Sequence, residues 1–114
     1  MDAEDRSLLI TVAWLFARHG QLHRARTLCE ALVEGDPKDG IPAIAAAELM
    51  LADADAKAAL STLRRSVTPK ELAREAALLE SRALAMLGRK EESARCWKRY
   101  LATGKGENRR WVVS

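Results

Sequence analysis

Three helix-ending turns recur at one fixed interval. Gly20, Ala54 and Gly88 each follow an apolar, helix-patterned stretch, and the step from the first to the second equals the step from the second to the third. A period of about 34 residues, filled by helices in pairs, restricts a chain to stacked helix–turn–helix units that bury their apolar faces against one another. Stacks of this kind carry a concave groove, and such grooves bind segments of other proteins.

A chain of 114 residues suits one domain with a single core. Hydrophobic residues make up 48% of it and aromatics only 4%, so alanine and leucine must do most of the packing. The net charge of +3 is a mild basic excess, as expected of an ordinary solvated helical surface, and a nucleic-acid partner is not expected from it. Cys29 and Cys96 have no CxxC or His–Cys spacing and read as buried free thiols in a reducing cytosol. Residues 1–5 open acidic, without the positive region of a secretory signal. The longest apolar run, residues 8–17, is broken by Thr11 and is too short to span a bilayer. A cytoplasmic location with no membrane partner is the expectation.

Periodicity predicts six helices and no strand. The first spans 3–18, with Asp2, Glu4 and Asp5 complementing its dipole, and Gly20 ends it. The second spans 22–34, with Leu22, Ala25, Leu28, Cys29 and Leu32 at helical spacing, and Gly35-Asp36-Pro37 stops it. Asp39 caps a third helix over 41–52, in which Pro42 falls early enough to be tolerated. Asp55 caps a fourth that runs to about residue 65. Thr68-Pro69-Lys70-Glu71 reads as a capping box with proline at the first helical position, which starts a fifth helix over 69–87. A sixth covers 90–102 and ends at Gly104, followed by a polar tail with a late apolar knot, Trp111-Val112-Val113.

These residues resemble the tetratricopeptide repeat. Its small crossing residues have counterparts in Ala13 and Ala25, then Ala47 and Ala59, then Ser81 and Ser93. Leu9, Val12, Leu15, Phe16, Leu28 and Cys29 resemble its packing positions in the first repeat, Met50 and Leu63 in the second, and Trp97 the large residue in the third. Pro37 matches the terminal proline, and Leu87-Gly88-Arg89-Lys90-Glu91-Glu92-Ser93-Ala94 is a strong local match. The chain departs from the pattern at Ala43 and Ala77, where a large residue is preferred, and at Ser66-Val67, where the second repeat lacks its proline. The resemblance implies an all-α fold: three helix–turn–helix repeats, at about 5–38, 39–72 and 73–104, forming a short right-handed α-solenoid, with a C-terminal tail over 105–114.

A lone three-repeat chain of this length is similar to the small cytosolic chaperones of bacterial type III secretion. Ala13-Trp14-Leu15-Phe16-Ala17-Arg18-His19-Gly20, followed by Arg24-Ala25-Arg26 and Glu30-Ala31-Leu32, resembles the needle-subunit chaperone group. That likeness implies a bacterial cytoplasmic protein that binds an aggregation-prone secretion client, or a small helical co-chaperone, before export. The alternatives are a generic cytosolic repeat adaptor and a basic nucleic-acid-associated protein.

In the tetratricopeptide architecture the first helix of each pair lines the concave face. The partner-binding candidates are therefore Ile10, Trp14 and Arg18 from the first helix, with Ala17 beside them. The third helix supplies Ile41, Ile44, Glu48 and Leu51, and the fifth supplies Leu78, Arg82 and Met86, next to Ala85. A solvent-facing stripe should be polar, and this one is largely apolar. Burying one such side chain contributes about 1.5–3 kcal/mol, so five or six could hold an amphipathic helix. Trp14 is the expected anchor. The competing expectation is that Trp14 packs against the third helix within the stack, and that Ile44 and Leu51 are likewise packed inside it. A second copy of the chain could equally cover the groove, as a homodimer. A clamp for an acidic C-terminal carboxylate would need polar residues where Trp14 and Ile44 stand.

Other chemistry finds little support. His19 and His23 are four apart but straddle Gly20, without a third metal ligand. Asp53 and Asp55 fit a helix turn, since a calcium loop is longer. No phosphate loop, G-x-S-x-G or Cys/His arrangement is present, so no enzymatic activity, cofactor or metal is expected. Lys98, Arg99, Lys105, Arg109 and Arg110 with Trp111 could touch a phosphate backbone and stack a base. The favoured alternative folds Trp111 and Val113 back onto the last helix as a cap.

Overall fold

The computed structural model describes the backbone of residues 2–113 and the side chains of residues 2–102. Its described residues form α1 (Ala3–Arg18), α2 (Leu22–Gly35), α3 (Gly40–Ala52), α4 (Ala56–Arg65), a 3-10 turn (Lys70–Leu72), α5 (Ala73–Met86) and α6 (Lys90–Val113). No strand occurs among them, and the chain is all-α.

Side-chain caps set three of the helix starts. The carboxylates of Asp2, Asp39 and Asp55 accept from the backbone N–H groups of Asp5 (2.9 Å), Ile41 (3.1 Å) and Ala58 (3.2 Å), donors that have no partner within the helix. The three predicted turns share one backbone conformation. Gly20, Ala54 and Gly88 are left-handed, with φ of +76°, +59° and +77°. After each, the next N–H reaches back over the helix end: Gln21 to the Phe16 carbonyl (2.8 Å), Asp55 to Met50 (2.8 Å) and Arg89 to Leu84 (2.9 Å). This is the Schellman arrangement, which satisfies carbonyls that a helix end would otherwise leave bare.

Each helix packs on its neighbours in sequence, and α3 also touches both α1 and α5. Small residues let the paired helices approach. Ala13, Ala25, Ala47 and Ala59 are sealed in the core. In the α5–α6 pair the equivalent serines bond reciprocally: Ser81 Oγ donates to the Ser93 carbonyl (3.1 Å) and Ser93 Oγ to that of Ser81 (2.8 Å). The centre of the core is α3, in which Glu48 is the one charged residue and Ala43 through Ala47, Leu49, Met50 and Leu51 are all buried. A helix apolar all round is stable only when covered all round.

Arginines tie the pairs together. Arg6 on α1 donates to the Leu32 carbonyl (2.7 Å) and to Asp39 (3.1 Å). Arg74, the equivalent position at the start of α5, donates to the Tyr100 hydroxyl (3.1 Å) and lies over that ring. Arg26 joins α2 to the α3–α4 turn through Asp53 (2.9 Å) and Asp55 (2.7 Å), and pairs with Glu30 on its own helix.

Outside the partner-binding candidates, the structure differs from expectation in three places besides Leu15, a packing position that is 50% exposed. The capping box at Thr68 does not form: Pro69 is extended (ψ 148°), no side chain caps the segment, and a 3-10 turn precedes α5. Residues 67–69 instead cross the start of α3, so tightly that a Cβ on Gly40 would lie 2.7 Å from Pro69 Cδ and closer still to the Val67 carbonyl oxygen. That tertiary contact outweighs the local capping preference. Secondly, α6 continues past Gly104 to Val113. Glycine weakens a helix by about 1 kcal/mol but, unlike proline, removes no hydrogen bond. Whether Trp111, Val112 and Val113 cap the fold lies outside the described side chains. Thirdly, Trp97, expected in the packing, is exposed and stacks on Tyr100 with ring centroids 4.9 Å apart.

Candidate functional site

α3 touches both α1 and α5, and positions on the three helices correspond in rows that step by the interval between the turns. Ile10, Ile44 and Leu78 form the first, Trp14, Glu48 and Arg82 the second, and Arg18, Ala52 and Met86 the third. Trp14, Arg18, Ile41, Arg82 and Met86 are exposed, while Ile10, Glu48 and Leu78 are half-buried.

Ile44 and Leu51 are not available on this face. Both are buried in the core cluster, against the expectation that they face a groove. The reason is the central place of α3, whose flanks are covered by the helices on either side. Ile10, by contrast, packs against that cluster with one side still open.

Glu48 has the most unusual electrostatics of the face. Burial pushes its carboxyl above the ordinary carboxylate range, and the Arg82 guanidinium pulls it partly back. The candidate residues therefore combine partly open apolar side chains, an exposed indole, an arginine and a half-buried acid.

On the opposite side of α3, a cleft of about 470 Å³ opens between α2 and α4. Ala46 and Met50 line it from α3, with Arg26, Glu30, Ser61 and Arg65 among its walls. Periodicity alone did not reveal this cleft, because it arises where two helices that are not consecutive diverge. The Arg26 ion pairs hold Asp55 below the usual carboxylate range, the guanidinium contact being the main cause.

Both cysteines are free and buried. Cys29 is buried, and its thiol is pushed up to about 11, chiefly by burial and also by nearby Glu30. Cys96 is buried too, and Arg99 donates to its Sγ at 3.0 Å. His19 caps the end of α1 and His23 lies in the first turn of α2, on either side of the Gly20 turn. Among the described residues no helix is long and apolar enough to cross a membrane. No protein-family model matches the chain, and comparison with curated proteins finds no match.

Proposed function

We propose that this chain is a protein-binding module, built of three tetratricopeptide-type repeats in a short right-handed solenoid whose concave face holds an amphipathic helix of another protein. The observation that carries this reading is the composition of the face shared by α1, α3 and α5. Trp14, Ile41 and Met86 are exposed there beside half-buried Ile10 and Leu78, where a monomer without a partner would place polar side chains. The repeat reading is supported by the three left-handed turns with matching hydrogen bonds and by the small residues at each helix crossing.

The client is a secreted protein of a bacterial type III system or its small helical co-chaperone, held so that its apolar face cannot assemble early. Support for that client comes from the likeness of residues 13–20 to needle-subunit chaperones. Affinity purification of the chain from native extract, followed by mass spectrometry, tests the proposal. A short, helical, secreted partner lost on Trp14→Ala supports it. A large multidomain partner would favour a generic adaptor, and nucleic acid released steeply by salt would favour the basic-protein alternative.

A further inference from the structure

We propose that the α4–α6 half of the molecule binds single-stranded nucleic acid, with arginines and lysines of α4 and α6 on the phosphates and Trp97 stacked on a base. This surface shares no residue with the candidates for a helical client and does not depend on the concave face.

The modest net charge conceals a division along the chain. Residues 2–55, which hold α1 to α3, carry ten carboxylates and five Lys or Arg. Residues 56–102, which hold α4, α5 and the described side chains of α6, carry five carboxylates and eleven Lys or Arg. Every one of those eleven except Arg74 is exposed. The two halves nearly cancel in the sum, but a partner meets the local field.

Ion pairs gather part of the basic excess in one place. Glu80 on α5 accepts from Arg64 on α4 (3.3 Å) and from Arg99 on α6 (2.9 Å). Glu92 on α6 pairs with Arg89. That contact is the main cause that holds the Glu92 carboxyl below the ordinary carboxylate range, and the charges of Arg64 and Arg95 add to it. Four guanidinium groups thus stand around two carboxylates, and positive charge is left in surplus. Arg65 and Lys98, next in sequence to Arg64 and Arg99, are exposed without a carboxylate partner among the described residues. Guanidinium forks match the oxygens of a phosphate.

Charge alone would suit any polyanion, and the aromatic residues narrow the choice. Trp97 stacks on Tyr100 (4.9 Å between centroids), the Arg74 guanidinium lies over the same ring (4.5 Å), and Trp97 is still 43% exposed. Successive residues lie about 100° apart around a helix, so Trp97, Lys98 and Arg99, all exposed, follow one another around α6. An acidic peptide would engage the cations and leave the indole idle. A single strand presents a phosphate and a flat base at every step, and any base has a face to stack.

Fluorescence anisotropy with the full chain and a labelled single-stranded oligonucleotide of mixed sequence tests this. Affinity should fall about fiftyfold between about 50 and 200 mM salt, since four phosphates at about 0.7 each give a log–log slope near −3. Lys98→Gln and Arg95→Gln should each weaken binding and flatten that slope by about 0.7. Lys38→Gln, the same change at an exposed site in the acidic half, should alter neither. Trp97→Ala should weaken binding about tenfold with the slope unchanged, because stacking releases no counterions. Trp97→Phe keeps an aromatic face and should recover most of that loss, which separates stacking from a folding defect. Trp14→Ala should bind the strand like the wild type, so a failed concave face would not disturb the result. Absence of binding at the lowest salt overturns the proposal. So does equal binding to polyglutamate or to phosphatidylserine vesicles, equal weakening by Lys38→Gln and Lys98→Gln, or a Trp97→Ala variant of unchanged affinity.

Discussion

Ala54 is a non-glycine residue in left-handed backbone (φ +59°), at the position where the other two turns use glycine. That conformation costs an L-residue about 1–2 kcal/mol, partly offset because glycine loses more freedom on folding. Ala54→Gly should therefore stabilise the protein by about 0.5–1 kcal/mol, while Gly20→Ala and Gly88→Ala should each destabilise it by about 1 kcal/mol. A Cβ at either glycine would meet nothing within 4 Å, so the loss would be a backbone effect alone. Urea denaturation checks this: midpoints should move in opposite directions at constant m-value. Glu48 makes a second prediction. Its raised carboxyl means that the folded state binds the proton more readily than the unfolded chain, so its charged form opposes folding above the folded pKa. That penalty is relieved as pH falls through the carboxylate range. Glu48→Gln should be more stable than the wild type at neutral pH, and the difference should vanish below about pH 4. Asp55 has the opposite sign: its lowered carboxyl contributes stability that is complete above the usual carboxylate range and is lost in acid.

Among elements, the passage from α4 to α5 is where local sequence and tertiary contact disagree. Gly40 has no room for a side chain beneath Val67 and Pro69. Gly40→Ala should force that crossing outward and cost about 1–3 kcal/mol, read as a lowered denaturation midpoint with the helices otherwise retained. The same crossing explains which helix boundaries could be read from residue order. The ends near Gly20, Ala54 and Gly88 and the starts at Asp39 and Asp55 were legible because each is decided within about one helical turn by its own residues. Thr68 to Glu71 has the composition of a helix start, but a cap contributes only about 1 kcal/mol and the segment is committed to pass over α3. The same limit applies at Gly104, where glycine marks a weak point in α6 rather than its end.

For the molecule as a whole, spacing gives the candidate residues a direction but not a depth. Helical period fixes direction, so Trp14, Glu48 and Arg82 could be aligned from their numbers. Depth depends on how closely α1 and α5 approach α3 from both sides, which no single helix encodes. Ile44 and Leu51, which helical period directs toward the groove, consequently belong to the core. Ile44→Ala should leave a cavity and cost about 2–4 kcal/mol of stability, with any loss of partner capture following from unfolding and restored at lower temperature. Trp14→Ala should lower the denaturation midpoint less than Ile44→Ala does, since the indole is 40% exposed, yet weaken capture of the partner by about 2 kcal/mol, roughly thirtyfold. Measuring midpoint and partner affinity on both variants separates the two roles. If Trp14→Ala instead lowers the midpoint as Ile44→Ala does, the indole serves the fold, and the proposed groove loses its anchor.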